Sequence, residues 1–338
     1  MPALLQYRAG GRGNVLMSNT TGSQSAQPID LIIDTDPGAD DVIALLFALA
    51  SPQELNVRAL TTVAGNVRLD KTSRNARLAL EWAGCEHVPV YAGASKPLVR
   101  KPVYAEHVHG EEGLPGVAVH EPKRGLAEGN AIDFLIDTLL AARPHSMTIA
   151  MLGPQTNLAL ALLREPQIVQ GIKQVVVMGG AHFNGGNISP VAEFNLFADP
   201  HAAEVVLKSG ADLVYLPLDV THKILTSEAR LEQIAALNNK AGKLVGDILQ
   251  ACIGGDMARY GIPGGPVHDA TVIAYLLKPA LFSGRSVNVV ADSREGPTFG
   301  QTIVDWYDSL NAPKNAFWVD SGDAQGFFDL LTERLARL

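Results

Sequence analysis

Between residues 29 and 218 the chain alternates short apolar runs with segments of helical periodicity, and this alternation limits the fold more than any other feature. The runs at 29–34, 57–63, 88–91, 147–152, 174–178 and 213–218 read as strands. Helical patterns at 39–50, 70–82, 130–142, 155–163 and 200–208 fall between them. The strands are nearly unbroken in apolar character, so both faces are expected to be covered, as in a parallel sheet flanked by helices. Residues 226–260 and 267–278 read as helical. The strands 286–291, 300–306 and 315–319 follow closely on one another and suggest an antiparallel edge, before a last helix at 321–337. No repeat or linker interrupts the pattern. The expected fold is α/β, an open, mostly parallel central sheet flanked by helices, in a single domain over residues 29–338. Residues 1–28 are rich in Gly, Ser and Gln and read as a disordered lead-in, with Met17 a possible alternative start.

Lys and Arg number 27 against 35 Asp and Glu, a net charge of −8. No basic stripe appears, so polymeric nucleic acid and anionic membranes are excluded as partners on electrostatic grounds. The apolar run Val42 to Ala50 is too short to span a bilayer, and the first 28 residues lack the hydrophobic stretch of a secretory signal. The expected location is therefore cytoplasmic. Cys85 and Cys252 are far apart and form no metal-binding or disulfide pattern.

In open α/β sheets, ligands bind beyond the carboxyl ends of the strands. The first strand runs into Asp34-Thr35-Asp36-Pro37-Gly38-Ala39-Asp40-Asp41, four carboxylates within eight residues and no Lys or Arg nearby. Helix capping accounts for one or two of them. Four in one turn call for a divalent cation that prefers oxygen, Ca²⁺ or Mg²⁺. An EF-hand is a poor fit, because Leu45 stands where its bidentate Glu belongs. A Mg²⁺-dependent phosphohydrolase with Asp34 as nucleophile is an alternative, although the later Lys and second acidic pair it requires are not evident.

Other strand ends carry polar groups as well. Asn66 follows the second strand, and Leu152-Gly-Pro-Gln-Thr-Asn157 leaves backbone carbonyls at the same edge. Gly185 to Asn195 brings Asn187, Glu193 and Asn195 together in a small, apolar context, a donor and acceptor set suited to sugar hydroxyls. His268-Asp269 opens a helix after a Gly-rich run, offering a proton donor beside a metal ligand, and His109 sits in a loop that could close over a pocket.

These motifs, in this order, resemble the nucleoside hydrolases, the inosine–uridine preferring N-ribohydrolase family. The resemblance rests on Asp34 to Asp41, Gly65-Asn66, His109-Gly110, Leu152 to Asn157, Asn187 with Ala192 to Asn195, Val267-His-Asp269 and Thr298 to Asp305. It implies a tightly bound Ca²⁺ and hydrolysis of the N-glycosidic bond of ribonucleosides to ribose and free base. It also implies Asp36, Asp41, the Leu152 carbonyl and Asp269 as metal ligands, with Asp36 doubling as general base and Asp34 supporting the loop from behind. Asp40 and Asn195 would hold the 2′/3′ diol, Asn187 and Glu193 the 5′-hydroxyl, and Asn66 and Met178 the sugar pocket. His268 is the expected leaving-group acid, with His109 a partner for pyrimidines, and Tyr260 is expected at the base. Asp256 stands where pyrimidine-preferring members tend to carry Gln, which leaves the base preference open. A homodimer or homotetramer is the assembly the resemblance implies. A non-catalytic nucleoside- or ribose-binding protein would share the pocket without needing Asp36 as a base.

Overall fold

The computed structural model describes residues 27–260 and 264–338, with the side chains of residues 253–260 outside the description. The expectation for residues 1–28 therefore falls almost wholly outside the described residues, as does the side chain of Tyr260.

The first half of the chain builds β1 (Ile29–Thr35), α1 (Ala39–Leu49), β2 (Leu55–Thr62), α2 (Leu69–Ala83), β3 (Val90–Ala92) and the single turn α3 (Glu106–His109). It continues through α4 (Ala131–Ala141), β4 (Met147–Met151), α5 (Thr156–Arg164) and β5 (Ile172–Met178). A long loop then leads to α6 (Phe194–Ala198), α7 (Pro200–Leu207), β6 (Leu213–Leu216) and the short α8 (Leu218–Thr221). The remainder comprises α9 (Glu228–Ala235), α10 (Lys240–Tyr260), α11 (Ala270–Leu277), β7 (Phe282–Ala291), β8 (Thr302–Asp305), β9 (Ala316–Gly322) and α12 (Ala324–Leu335).

Among the described residues nine strands form one sheet in the order β3-β2-β1-β4-β5-β6-β9-β7-β8. From β3 to β9 the pairing is parallel, and β7 pairs antiparallel with both β9 and β8. The sheet is thus mostly parallel with an antiparallel end, but β9 is not part of a separate edge. It lies beside β6 and joins the two regions. The helical stretch at 226–260 is two helices, broken around Asn238, whose φ of 51° is left-handed.

The sheet buries an apolar layer on each face. One side packs against α1, α2, α11 and α12, the other against α4, α5 and α7. Every residue of α1 except Asp40 is buried, so this helix runs through the densest part of the molecule. The chain winds outward from β1 to β3, then returns to place β4 on the other side of β1. This reversal makes the carboxyl ends of β1 and β4 the natural ligand crevice. Those ends carry Asp34 to Asp41 and Leu152.

Candidate active site

At the end of β1 the backbone turns through Pro37-Gly38 into α1, folding the four carboxylates inward. Asp41 is fully buried. Its Oδ1 accepts from the Thr35 hydroxyl at 2.6 Å and its Oδ2 from the Gly38 amide at 3.0 Å. Asn66 clamps the cluster from β2's end, its backbone N–H on Asp36 Oδ2 at 2.7 Å and its side-chain amide on Asp41 Oδ2 at 3.0 Å. The other Asp36 oxygen, Oδ1, is buried with no hydrogen-bond partner. The Asp36 carboxyl lies between two glycines. A Cβ on Gly65 would stand 2.0 Å from Oδ2, and one on Gly153 2.3 Å from Oδ1. Only a residue without a side chain fits at either place.

Asp269, at the start of α11, arrives from more than 200 residues along the chain. Asp40, Asp41 and Asp269 each bring a carboxylate oxygen within 4.8 Å of the others. Burial, followed by the negative charges of its neighbours, pushes Asp36 and Asp269 well above the usual carboxylate range, and Asp41 moves in the same direction. No Lys or Arg among the described residues is paired with any of the four. Buried like charges of this kind are stable when protonated or when a cation sits among them. An orphaned oxygen, three converging carboxylates and a nearby backbone carbonyl at Leu152 together make a donor set for a hard cation. Leu152 O already accepts from Asn195 Nδ2 at 2.7 Å, and a carbonyl retains a second lone pair.

Asp34 lies behind this cluster, fully buried, with Oδ2 accepting from Thr61 Oγ1 at 2.6 Å and Asn157 Nδ2 at 2.8 Å. Burial raises it to about 7. Like Asp36 it does not line the cavity, and its Oδ1 is also buried without a hydrogen-bond partner.

A cavity of about 370 Å³ opens over the carboxylates, within the usual range for small-molecule sites. Asp40, Asn66, Leu152, Met178, Asn187, Glu193, Asn195, His109, His268 and Asp269 all line it. Of the other residues expected at the site, Asp36 and Asp41 are fully buried and do not line the cavity, each bonded to the lining residue Asn66, and Tyr260 lies outside the described side chains. Asn195 spends its amide hydrogens on the carbonyls of Leu152 and Met178, which leaves Oδ1 as its acceptor. Glu193, also buried, caps α6 by accepting from the Asn195 and Leu196 amides and accepts from Gly180 N at 3.1 Å. Burial still prevails over these bonds and raises it to about 7.

Among the described residues, His109 and His268 are two of the four imidazoles that line the cavity, with His107 and His222. His109, on α3, accepts through Nδ1 from the Ala39 amide at 3.2 Å. An amide is always the donor, so this ring carries its proton on Nε2. Asn75 and Arg74 on α2 hold the segment after α3 through the Glu112 carbonyl, and Arg74 also meets the Glu112 carboxylate at 2.5 Å. His268 is pushed down to about 4 by burial and then by the nearby His109, and is neutral at neutral pH.

The strand-end reasoning passed over α8. Leu218-Asp-Val-Thr-His222 follows β6 directly, and His222 lines the cavity, its ring 5.5 Å from that of His268. Asp219 gathers the backbone N–H groups of His182, Phe183 and Asn184 on Oδ1 and the Trp318 indole on Oδ2 at 2.9 Å. It thereby anchors the loop that carries Asn187 and Glu193. A carboxylate, a hydroxyl and an imidazole in succession after an apolar strand were a legible signal of the same kind as Asp34 to Asp41.

No helix among the described residues is long and apolar enough to cross a membrane. The sequence profile of the inosine-uridine preferring nucleoside hydrolases matches residues 31–329. The chain is 46% identical over 308 residues to an uncharacterized protein of Schizosaccharomyces pombe, covering 91% of this chain and 99% of that one. It is 42% identical to the pyrimidine-specific ribonucleoside hydrolase RihA of Salmonella schwarzengrund, with 91% and 98% covered. Among solved structures, a plant nucleoside hydrolase superposes with a TM-score of 0.85 at 32% identity, covering 91% of this chain and 99% of that chain. A purine-preferring ribonucleoside hydrolase from Gardnerella vaginalis does so with 0.84 at 31%, covering 91% and 98%.

Proposed function

The chain belongs to the inosine-uridine preferring nucleoside hydrolase family and is a nucleoside N-ribohydrolase; from that premise we propose that it is a Ca²⁺-dependent enzyme that uses Asp36 as its general base. The observation that carries the reading is the buried Asp36 Oδ1, without a hydrogen-bond partner, on a carboxyl bonded to Asn66, which lines a cavity walled by carboxylates and amides. Asp36, Asp41, Asp269 and the Leu152 carbonyl would hold the cation. When bound, Ca²⁺ supplies charge that acidifies the attacking water and draws the ribose diol. Ca²⁺ is favoured over Mg²⁺ because it accepts many oxygen ligands in irregular geometry.

The chain's own residues account for the remainder. Asp36, raised in basicity by burial, takes the water proton. Asp40 and the Asn195 carbonyl accept from the 2′- and 3′-hydroxyls, Asn187 and Glu193 engage the 5′-hydroxyl, and Asn66 and Met178 pack against the ring. As the C–N bond breaks, positive charge grows on the ribose, and the surrounding carboxylates stabilise it. The departing base receives a hydrogen bond from His268, with His109 also lining the cavity. Asp34 gives the alternative phosphohydrolase no support, since Thr61 and Asn157 enclose it behind the cavity.

The preferred substrates are pyrimidine ribonucleosides. Supporting this, a relative 42% identical over 91% of the chain is a pyrimidine-specific ribonucleoside hydrolase. It is expected to form a homodimer or homotetramer, as the resemblance implies, and to act in the cytoplasm, the location read from the sequence. The decisive assay is reducing-sugar release from uridine, cytidine, inosine, adenosine and 2′-deoxyuridine. Release from the pyrimidine ribonucleosides, with little from the deoxy compound, is expected. Binding of uridine without any release from the panel would point instead to a binding protein.

Glu193 lends the site a pH signature. Its carboxyl is raised to about 7, so the ionised form that accepts the 5′-hydroxyl becomes dominant only above that pH. The KM for uridine is expected to fall as pH rises through about 7, while that for 5′-deoxyuridine stays flat. Parallel KM profiles for the two substrates would remove Glu193 from the 5′-subsite. The same shift has a cost for the free protein. A raised carboxyl favours folding while protonated, and that contribution is lost as pH climbs from about 4.5 through 7.

A further inference from the structure

We infer that Thr221, which never meets the substrate, is the positioning residue that fixes His268 in the tautomer with its proton on Nε2, aimed at the departing base. The inference rests on the ribonucleoside reading above and assigns a role to a residue of α8.

Thr221 Oγ1 lies 2.8 Å from His268 Nδ1. A hydroxyl always has a proton to place, and in a buried site a proton without an acceptor is costly. Thr221 is fully buried, and among the described residues its hydroxyl has no other hydrogen-bond partner. The hydroxyl therefore donates to Nδ1, and the ring's own proton must be on Nε2. The opposite assignment, with Nδ1 donating to the hydroxyl, would strand the hydroxyl proton. His268 is further held by its backbone, since the His268 carbonyl accepts from Thr271 Oγ1 at 2.6 Å and from Thr271 N at 3.1 Å. Ring and backbone are thus fixed from two sides. His109 reaches the same tautomer by a different route, through the Ala39 amide. Both imidazoles thus carry the proton on Nε2, and both residues line the cavity.

The consequence for the reaction is specific. When the C1′–N bond breaks, its electron pair stays on the base, and the Nε2–H hydrogen bond stabilises that growing negative charge. The base then takes up a proton from water. A ring with its proton on Nδ1 would present a lone pair to the base and oppose departure. The 221 hydroxyl matters only where the leaving group needs this help.

The test compares uridine with p-nitrophenyl β-D-riboside, whose p-nitrophenolate leaves without assistance. Thr221→Val keeps the shape and removes the donor. It is expected to lower kcat on uridine by on the order of 10-fold or more, short of the 10²–10⁴ that an acid contributes in full. KM should barely move, and turnover of the p-nitrophenyl riboside should stay within about twofold. Thr221→Ser, which retains the donor, should restore the uridine rate. In a Thr221→Val/His268→Ala double variant, uridine turnover should fall no further than in His268→Ala alone, as expected for groups acting in series. Equal losses on both substrates, in a variant that melts like the parent, would reduce Thr221 to a packing residue and overturn the inference. So would an unchanged uridine rate. If the parent protein cleaves neither substrate, the ribohydrolase mechanism itself fails, and that outcome is distinct from a parent active on both with an insensitive Thr221→Val.

Discussion

Asp36→Asn will lower kcat for uridine hydrolysis by about 10⁴-fold, the upper end of what a positioned general base supplies. The substitution is nearly isosteric and keeps an oxygen for the Asn66 amide, which now approaches Oδ2 at 2.7 Å. The amide nitrogen then occupies the place of Oδ1, the atom without a partner, and it cannot accept a proton. No neighbour can stand in for it. Gly65 and Gly153 leave the side chain no room to swing, and Asp41 is committed to Thr35, Gly38 and Asn66. The variant's rate should be measured beside its calcium content, so that a lost ligand is told apart from a lost base. A residual kcat within tenfold of the parent, with calcium retained, would move the proton acceptor elsewhere.

Removing the cation is the second large perturbation. Protein unfolded and refolded in a chelator should release no ribose, and Ca²⁺ should restore release better than an equal concentration of Mg²⁺. The free protein is also expected to be less stable. Asp36, Asp41 and Asp269 are pushed upward by burial and then by neighbouring carboxylates, Asp40 among them in each case, so without a cation their ionisation opposes folding. Binding to the folded state alone stabilises it by roughly 2.7 kcal/mol when Ca²⁺ is at a hundred times its Kd. A rise in melting temperature on titrating Ca²⁺ is the direct readout. Full activity after refolding in chelator, with a melting temperature indifferent to Ca²⁺, would leave the acidic cluster a purely structural feature held by shared protons.

The division between what could be read from the chain and what could not follows the range of the interactions. Periodicity is local, so the alternation of apolar strands and helices declared a parallel sheet, and the strand limits in the structure differ from those expected by only a few residues in most cases. The antiparallel end was visible for the same reason. That β9 inserts beside β6 was not, because which strand pairs with which depends on contacts about 100 residues apart. The site divides in the same way. Asp34 to Asp41 are contiguous, and four like charges in one turn demand compensation whatever surrounds them. Their separate jobs came only with the fold. Burial set Asp34 behind Thr61 and Asn157, left one oxygen of Asp36 unpaired, and closed Asp269 onto Asp40 and Asp41.

The imidazoles mark the boundary most clearly. The sequence by itself determined that His268 stands beside an acid at the start of a helix, and that His109 lies in a loop rich in His and Gly. Their proton positions were decided by Thr221 and by the Ala39 amide, 47 and 70 residues away, through single hydrogen bonds at 2.8 and 3.2 Å. A neutral imidazole has two nearly equivalent tautomers, and nothing in its own chain neighbourhood chooses between them. Only a partner brought close by the tertiary fold, Thr221 at the end of α8 beside His268 or the Ala39 amide at the start of α1 beside His109, supplies the energy difference that does.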